Sequence, residues 1–146
     1  MLKACREIGA ALVAFSPVAR GFLADGVADV EALAASDIRR GMPRFQGDNF
    51  IANRRLLDGF RAVARELGAT PAQLALAWLL TRGEHVIPIP GTTSLAHLEE
   101  NVGGDSLALG AETLERLNAL INPKTVSGPR YNAATQLEID TEELAA

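Results

Sequence analysis

Short continuous apolar runs alternate along this chain with longer stretches in which apolar residues recur every three or four positions. ALVAF (11–15) and VIPI (86–89) are the two runs. Both are short, bounded by turn residues and rich in branched side chains, the pattern of a buried strand. Pro88 and Pro90 each lack a ladder donor, so they must sit where the second strand ends or bends. Residues 2–8 read as the last turns of a helix stopped by Gly9. Leu56, Leu57, Phe60, Val63, Ala64 and Leu67 recur at helical spacing, with Asp48 or Asn49 as the expected cap and Gly68 as the stop. TPAQLALAWLL follows, with Thr70 as cap and Pro71 at the first helical position, where its missing N–H costs nothing. That helix is apolar almost all round and must be covered on most sides, and Gly83 closes it. Thr93 or Ser94 caps a short helix to about Asn101, and GAETLERLNAL sets Leu114, Leu117, Leu120 and Ile121 on one face of another.

Two segments carry weaker patterns. Residues 21–47 form a long connection with one short amphipathic helix, VADVEALAA, and a loop rich in Gly, Pro and Arg. Connections of this length in a compact domain are usually functional. The tail from Asn122 is polar and either wraps the surface or is loose; residues 123–146 are expected to pack loosely.

Strands alternating with helices predict a parallel α/β architecture. Parallel sheets, however, are covered on both faces and have many members. Two strands are too few for helices this apolar, and that imbalance is the central anomaly of the sequence.

Composition narrows the function classes. With 48% hydrophobic and 22% charged residues the 146-residue chain is globular. A net charge of −4 argues against nucleic acid and anionic membranes, which need clustered positive charge. The arginines at 39, 40, 44, 54, 55, 61 and 65 are interleaved with acids and read as a solvated face. No apolar run approaches the ~20 residues of a membrane helix, and the first fifteen residues show no cleavage-site signature. A cytoplasmic location is the expectation. Cys5, the sole cysteine, rules out an internal disulfide and a multi-thiolate zinc site, and reads as a small buried hydrophobe.

Candidate chemistry lies where the two strands end. In GTTSLAHLEEN (91–101), Gly91 leaves the backbone open, and the helix that follows offers free N–H groups and the positive end of its dipole. Thr92, Thr93 and Ser94 add hydroxyls, and His97 lies one turn on. Phosphate is the natural guest, although the same residues also make an ordinary helix cap. In FSPVARG (15–21), Ser16 and Arg20 follow the first strand, and an arginine fork suits pyrophosphate. Arginine in a loop is also simply solvated. Two such ends on consecutive parallel strands match the phosphate site often built after strands seven and eight of an eight-stranded barrel.

ALVAFSPVARGFL, TPAQLALAWLL, VIPIPGTTSLAHLEENV and the later RY at 130–131 resemble the aldo-keto reductases, closest to their bacterial branch. The resemblance covers about residues 2–131, and IPGTTSLAHLEEN is its most specific part. It implies a partial (β/α)8 TIM barrel: strands seven and eight with their helices, the C-terminal helix and the tail. The family reduces aldehydes and ketones with NADPH. Carried over, Phe15 stacks on the nicotinamide ring, a flat partner for an aromatic face. Ser16, Val18 and Arg20 cover the pyrophosphate. Gly91, Thr92, Thr93 and His97 grip the adenosine 2′-phosphate, and Glu100 and Asn101 contact the adenine edge. The family often has Lys or Arg among the phosphate-gripping positions, which this chain lacks; NADP(H) is the expected cofactor, with NAD(H) as the alternative.

The resemblance also implies an absence. The family's catalytic Asp, Tyr, Lys and His belong to the first half of the barrel, and none has a counterpart here. Tyr131 lies in the tail, His85 before the second strand, and Lys3 and Lys124 near the ends. Without a placed acid, carbonyl protonation has no agent. The expectation is therefore an oxidoreductase fragment, inactive alone, that holds much of the cofactor. It either self-associates or meets a second chain supplying strands one to six. The alternatives are a non-catalytic nucleotide-binding or regulatory module, one half of a split reductase, and a helical interaction protein whose strands are incidental.

Overall fold

The computed structural model describes residues 1–138. Helix α1 (Leu2–Glu7) ends where Gly9 adopts φ +69° and turns the chain into strand β1 (Leu12–Ala14). A long segment with three short 3-10 turns, Ala19–Ala24, Ile38–Gly41 and Pro43–Phe45, leads to helix α2 (Gly47–Glu66). Helix α3 (Pro71–Leu80) feeds strand β2 (Val86–Pro88). Helices α4 (Leu95–Gly103), α5 (Ala111–Leu120) and the short α6 (Ala133–Gln136) follow. Among the described residues no helix is long and apolar enough to cross a membrane.

β1 and β2 pair in parallel, Leu12 opposite Val86, Val13 opposite Ile87 and Ala14 opposite Pro88. The Leu12 N–H donates to the His85 carbonyl (2.7 Å) and the Ile89 N–H to the Ala14 carbonyl (3.1 Å). Pro88 ends its strand, where a missing donor is tolerated. These two strands are the whole sheet among the described residues.

The core lies between the helices. α3 carries the capping box its sequence predicts: the Thr70 hydroxyl accepts from the Gln73 N–H, and the Gln73 side chain accepts from the Thr70 N–H. Leu74 is fully buried, and Phe60, Val63 and Ala64 of α2 and Leu117 of α5 close around it. Gly104, just after α4, is pressed against α3: a Cβ there would lie 3.2 Å from the Gln73 carbonyl oxygen. One face of the sheet stays bare. Val13, Phe15, Ile87 and Ile89 are about half exposed, and Leu95, Leu98 and Val102 along α4 are half to two-thirds exposed or more. The shortage of strands read from the sequence is thus visible as uncovered apolar surface.

Three expectations need correction. Residues 27–35 form no helix. Arg40 Nη1 takes the carbonyls of Val30, Glu31 and Leu33, acceptors that a helix would have used. Val27 and Val30 instead join Met42 and Phe45 in a second small core. Neither Asp48 nor Asn49 caps α2; the N-cap is Gln46, and Asn49 is engaged elsewhere. Cys5 is half-buried rather than buried, because α1 has no buried residue. The expectation of a loose tail also narrows. Ser127 and Gly128 are held by Asn49, Asn53 and Arg44, while residues 139–146 lie outside the described residues.

Candidate functional site

Because β1 and β2 run parallel in register, the segments that follow them leave the same edge of the sheet. The first segment is strained. Ser16 (φ 51°), Ala19 (51°) and Arg20 (58°) all occupy the left-handed region, which side chains other than glycine rarely adopt. Each such residue costs on the order of 1–3 kcal/mol and persists only where its surroundings hold it. Arg39 does the holding: its Nη1 donates to the Arg20 carbonyl (3.1 Å). The same guanidinium forks onto Asp37 through Nε (2.9 Å) and Nη2 (2.7 Å). Asp37 also accepts the Arg39 N–H, and these bonds hold its carboxyl well below the usual range, at about 2. A Cβ on Gly21 (φ +85°) would sit 3.5 Å from Arg39 Nη1. Arg39 and Arg40, which the sequence reads as part of a solvated face, are thus committed to building the loop.

Beneath this segment lies a cavity of about 220 Å³. Phe15, Ser16 and Arg20 form one side, Phe45 and Asn53 another, and Tyr131 of the tail a third. Asn53 is 4% exposed and ties the walls together. Its Nδ2 donates to the carbonyls of Arg44 (3.1 Å) and Ser127 (3.0 Å), and its Oδ1 accepts the Ser127 N–H (2.8 Å). Asn49 Oδ1 accepts the Ser127 hydroxyl, and Arg44 Nε donates to the Gly128 carbonyl.

The second segment is sparse. Thr92 Oγ1 accepts the Ser94 N–H, and Ser94 Oγ accepts the His97 N–H, so Ser94 is the cap of α4. The next helical N–H groups have no intrahelical partner. Gly91 faces open space with nothing within 4 Å of a built Cβ, a cradle that a side chain would fill. Thr92, Thr93 and His97 are exposed, and Glu100 and Asn101 are half-buried three and four residues beyond His97, on the same helix face.

Of the residues singled out in sequence, Phe15, Ser16 and Arg20 meet at the cavity, and Val18 packs on the helical core. Gly91, Thr92, Thr93, His97, Glu100 and Asn101 lie in the segment and helix that follow β2 and contribute nothing to that cavity. Residues missed in sequence are Arg39, Asn49, Asn53 and Tyr131 as structural parts of the site. Asn53 did leave a signal: it falls one turn before Leu57 on the apolar stripe of α2, where a polar side chain must find buried partners.

Two parallel strands in register whose following segments leave one edge are the topology in which α/β proteins commonly carry their ligand sites, at the carboxyl ends of the strands. Comparison with known proteins identifies which. The profile described as the Aldo/keto reductase family matches residues 1–122, and the chain belongs to that family. It is 36% identical over 97% of its length to "Aldo-keto reductase yakc [NADP(+)]" of Schizosaccharomyces pombe, covering 42% of that protein. It is 39% identical over 87% of its length to "Probable aldo-keto reductase 1" of Glycine max, covering 36% of it. A solved thermostable aldo-keto reductase, Tm1743, bound to the inhibitor epalrestat, superposes on 82% of the chain with a TM-score of 0.55 and 26% identity. This chain covers 33% of it. The chain spans about two fifths of the length of the curated relatives it matches.

Proposed function

We propose that this chain is the dinucleotide-holding part of an aldo-keto reductase barrel, its strands corresponding to the seventh and eighth. NADP(H) lies across the shared sheet edge. Phe15 stacks on the nicotinamide, Ser16, Val18 and Arg20 enclose the pyrophosphate, and Gly91, Thr92, Thr93 and His97 take the 2′-phosphate, with Glu100 and Asn101 at the adenine. The bound dinucleotide supplies the hydride; these residues bind it, orient it and keep its phosphates at the α4 N-terminus. The observation that carries this reading is the parallel register of β1 and β2, which sends residues 15–21 and 91–97 from one edge. The name of the Schizosaccharomyces pombe relative, which includes NADP(+), supports the choice of cofactor.

Reduction of aldehydes and ketones by the whole reductase needs a proton donor, and on this reading that donor comes with strands one to six. Strands one to six come from outside these 146 residues. The bare sheet face at Val13, Phe15, Ile87 and Ile89, together with Leu95, Leu98 and Val102 of α4, is the surface they would cover. Titrating the chain with NADPH and following cofactor fluorescence tests the reading. Submillimolar binding without turnover of an aldehyde is the expected result, and absence of binding removes it. Sedimentation of the same sample should show self-association through the bare face; a monodisperse monomer would count against a missing partner and favour a free-standing nucleotide-binding module.

A further inference from the structure

The dipeptide Asp-Gly occurs twice in the chain, as Asp25–Gly26 and Asp58–Gly59, in two unlike settings that share one arginine. Glycine after an aspartate leaves the amide nitrogen unshielded by a side chain, so the aspartyl carboxyl can close on it wherever the backbone can turn. Asp58 lies inside α2, where each interior amide is bonded four residues back. Gly59 is also pressed against α5: a Cβ there would lie 2.9 Å from Leu120 Cδ1. Asp25 instead ends the 3-10 turn Ala19–Ala24 in the left-handed region (φ 56°). One bond holds the amide after it, from the Gly26 N–H to the Gly21 carbonyl at 2.9 Å. Arg61 reaches both carboxylates. Its Nε and Nη2 fork onto Asp25 Oδ1 at 2.8 and 2.7 Å, and its Nη1 donates to Asp58 Oδ1 at 3.3 Å. The Asp58 side chain is 81% exposed and that of Asp25 43%, so exposure alone would favour Asp58, while backbone freedom favours Asp25.

We propose that Asp25–Gly26 is a self-modification site, an aspartate that isomerises through a succinimide, with Arg61 as its latch. The Gly26 nitrogen loses its proton and bonds to Asp25 Cγ, a Cγ–O bond of the neutral acid breaks, and that oxygen departs as water. Water then adds to the ring. Opening at Cγ restores aspartate; opening at the main-chain carbonyl leaves isoaspartate, with Cβ carried into the main chain. Water is the sole co-reactant. The added atom displaces the Gly26 N–H from the Gly21 carbonyl and shifts Val27, which is buried in the second small core. The fork on Oδ1 opposes closure, because the carboxyl must leave Arg61 to turn onto Gly26. The inference stands on the two dipeptides and not on the dinucleotide reading.

Incubating the folded 146-residue chain in heavy-oxygen water at mildly acid pH, followed by peptide mapping with mass spectrometry, tests it. Isoaspartate carrying one heavy oxygen should accumulate at Asp25 and not at Asp58. In urea, with both dipeptides released, the two should convert at similar rates. Arg61→Met should speed conversion at Asp25 about fivefold, the fold-change of a partly exposed ion pair, and leave Asp58 unconverted. Arg61→Lys, which keeps the charge but not the fork, should fall between. Circular dichroism checks folding; should Arg61→Met unfold, the Arg61→Lys rate and the ratio of Asp25 to Asp58 conversion in the unaltered chain decide. Conversion at Asp58 as fast as at Asp25 in the folded chain, no conversion at Asp25 while the urea-treated chain converts, or folded Arg61 variants with an unaltered Asp25 rate would each overturn the proposal.

Discussion

The two segments that leave the sheet edge occupy matching places in the topology and are built in opposite ways. Residues 16–45 are dense with internal support: four left-handed residues other than glycine, the Arg39 fork on Asp37, Arg40 on three carbonyls, and an edge-on contact between Phe22 and Phe45 at 5.8 Å. Residues 91–94 hold one hydroxyl turn, one cap bond and open space at Gly91. If the first segment holds the dinucleotide as proposed, its binding geometry is stored in the folded structure, so ligand affinity and stability should change together. In the second, little stability depends on the loop, so the two should separate.

The largest effect should come from the clasp that joins the first segment to the tail. Asn53→Ala leaves the Arg44 and Ser127 carbonyls and the Ser127 N–H without their partner, and should destabilise the chain by about 2–3 kcal/mol. A shift of the urea midpoint would show it, and an unchanged midpoint would mean the tail is not held. Ala19→Gly is smaller and opposite in sign. Relief of the left-handed strain at φ 51°, worth ~1–2 kcal/mol, outweighs the added chain entropy of ~0.5–1, a net gain of about 0.5–1 kcal/mol. NADPH affinity should fall in the same variant if the strain serves binding.

Acid gives a gentler test. The Asp37 carboxyl, lowered to about 2 from 3.8 by its bonds to Arg39, is depressed in the folded state. Its contribution is therefore complete above pH 3.8 and is lost as pH falls through about 2. Near-ultraviolet circular dichroism from the phenylalanines around residues 22–50 should hold steady down to pH 4 and decay below it. In Arg39→Met, where Asp37 loses the bonds that lower it, the part of the acid decay due to Asp37 should be largely abolished and the segment less stable at pH 7. Gly91→Val should have the smallest effect on stability, within ~0.5 kcal/mol, since the site is open. It should still weaken NADPH binding about tenfold or more. Loss of stability there with binding intact would reverse the comparison.

The sequence was most legible where local rules and packing agree. Thr70, Pro71 and Gln73 announce the start of α3, Gly9 and Gly68 end their helices in left-handed geometry, and both strands fall within a residue or two of their expected limits. It was least legible in residues 21–47. There the apolar spacing of Val27, Val30 and Leu33 imitates a helix, but a distant side chain, Arg40, claims the backbone acceptors. Long-range hydrogen bonds of that kind leave no periodic trace. The clasp on Ser127 is similar, joining residues 74 positions apart. The strain of Ala19 and the cavity beneath it likewise left no trace in the sequence pattern.

Trp78 adds a practical corollary. The sole tryptophan sits on α3, its Nε1 donating to Asn118 Oδ1 at 2.9 Å and its ring covered by Arg82 at 4.1 Å. Its emission is thus a gauge of the α3–α5 contact, silent while the loop over the cavity rearranges. Tyrosine emission from Tyr131, the one tyrosine, watches the opposite shore. Two optical channels, read together in one cuvette, would time the loosening of each region independently.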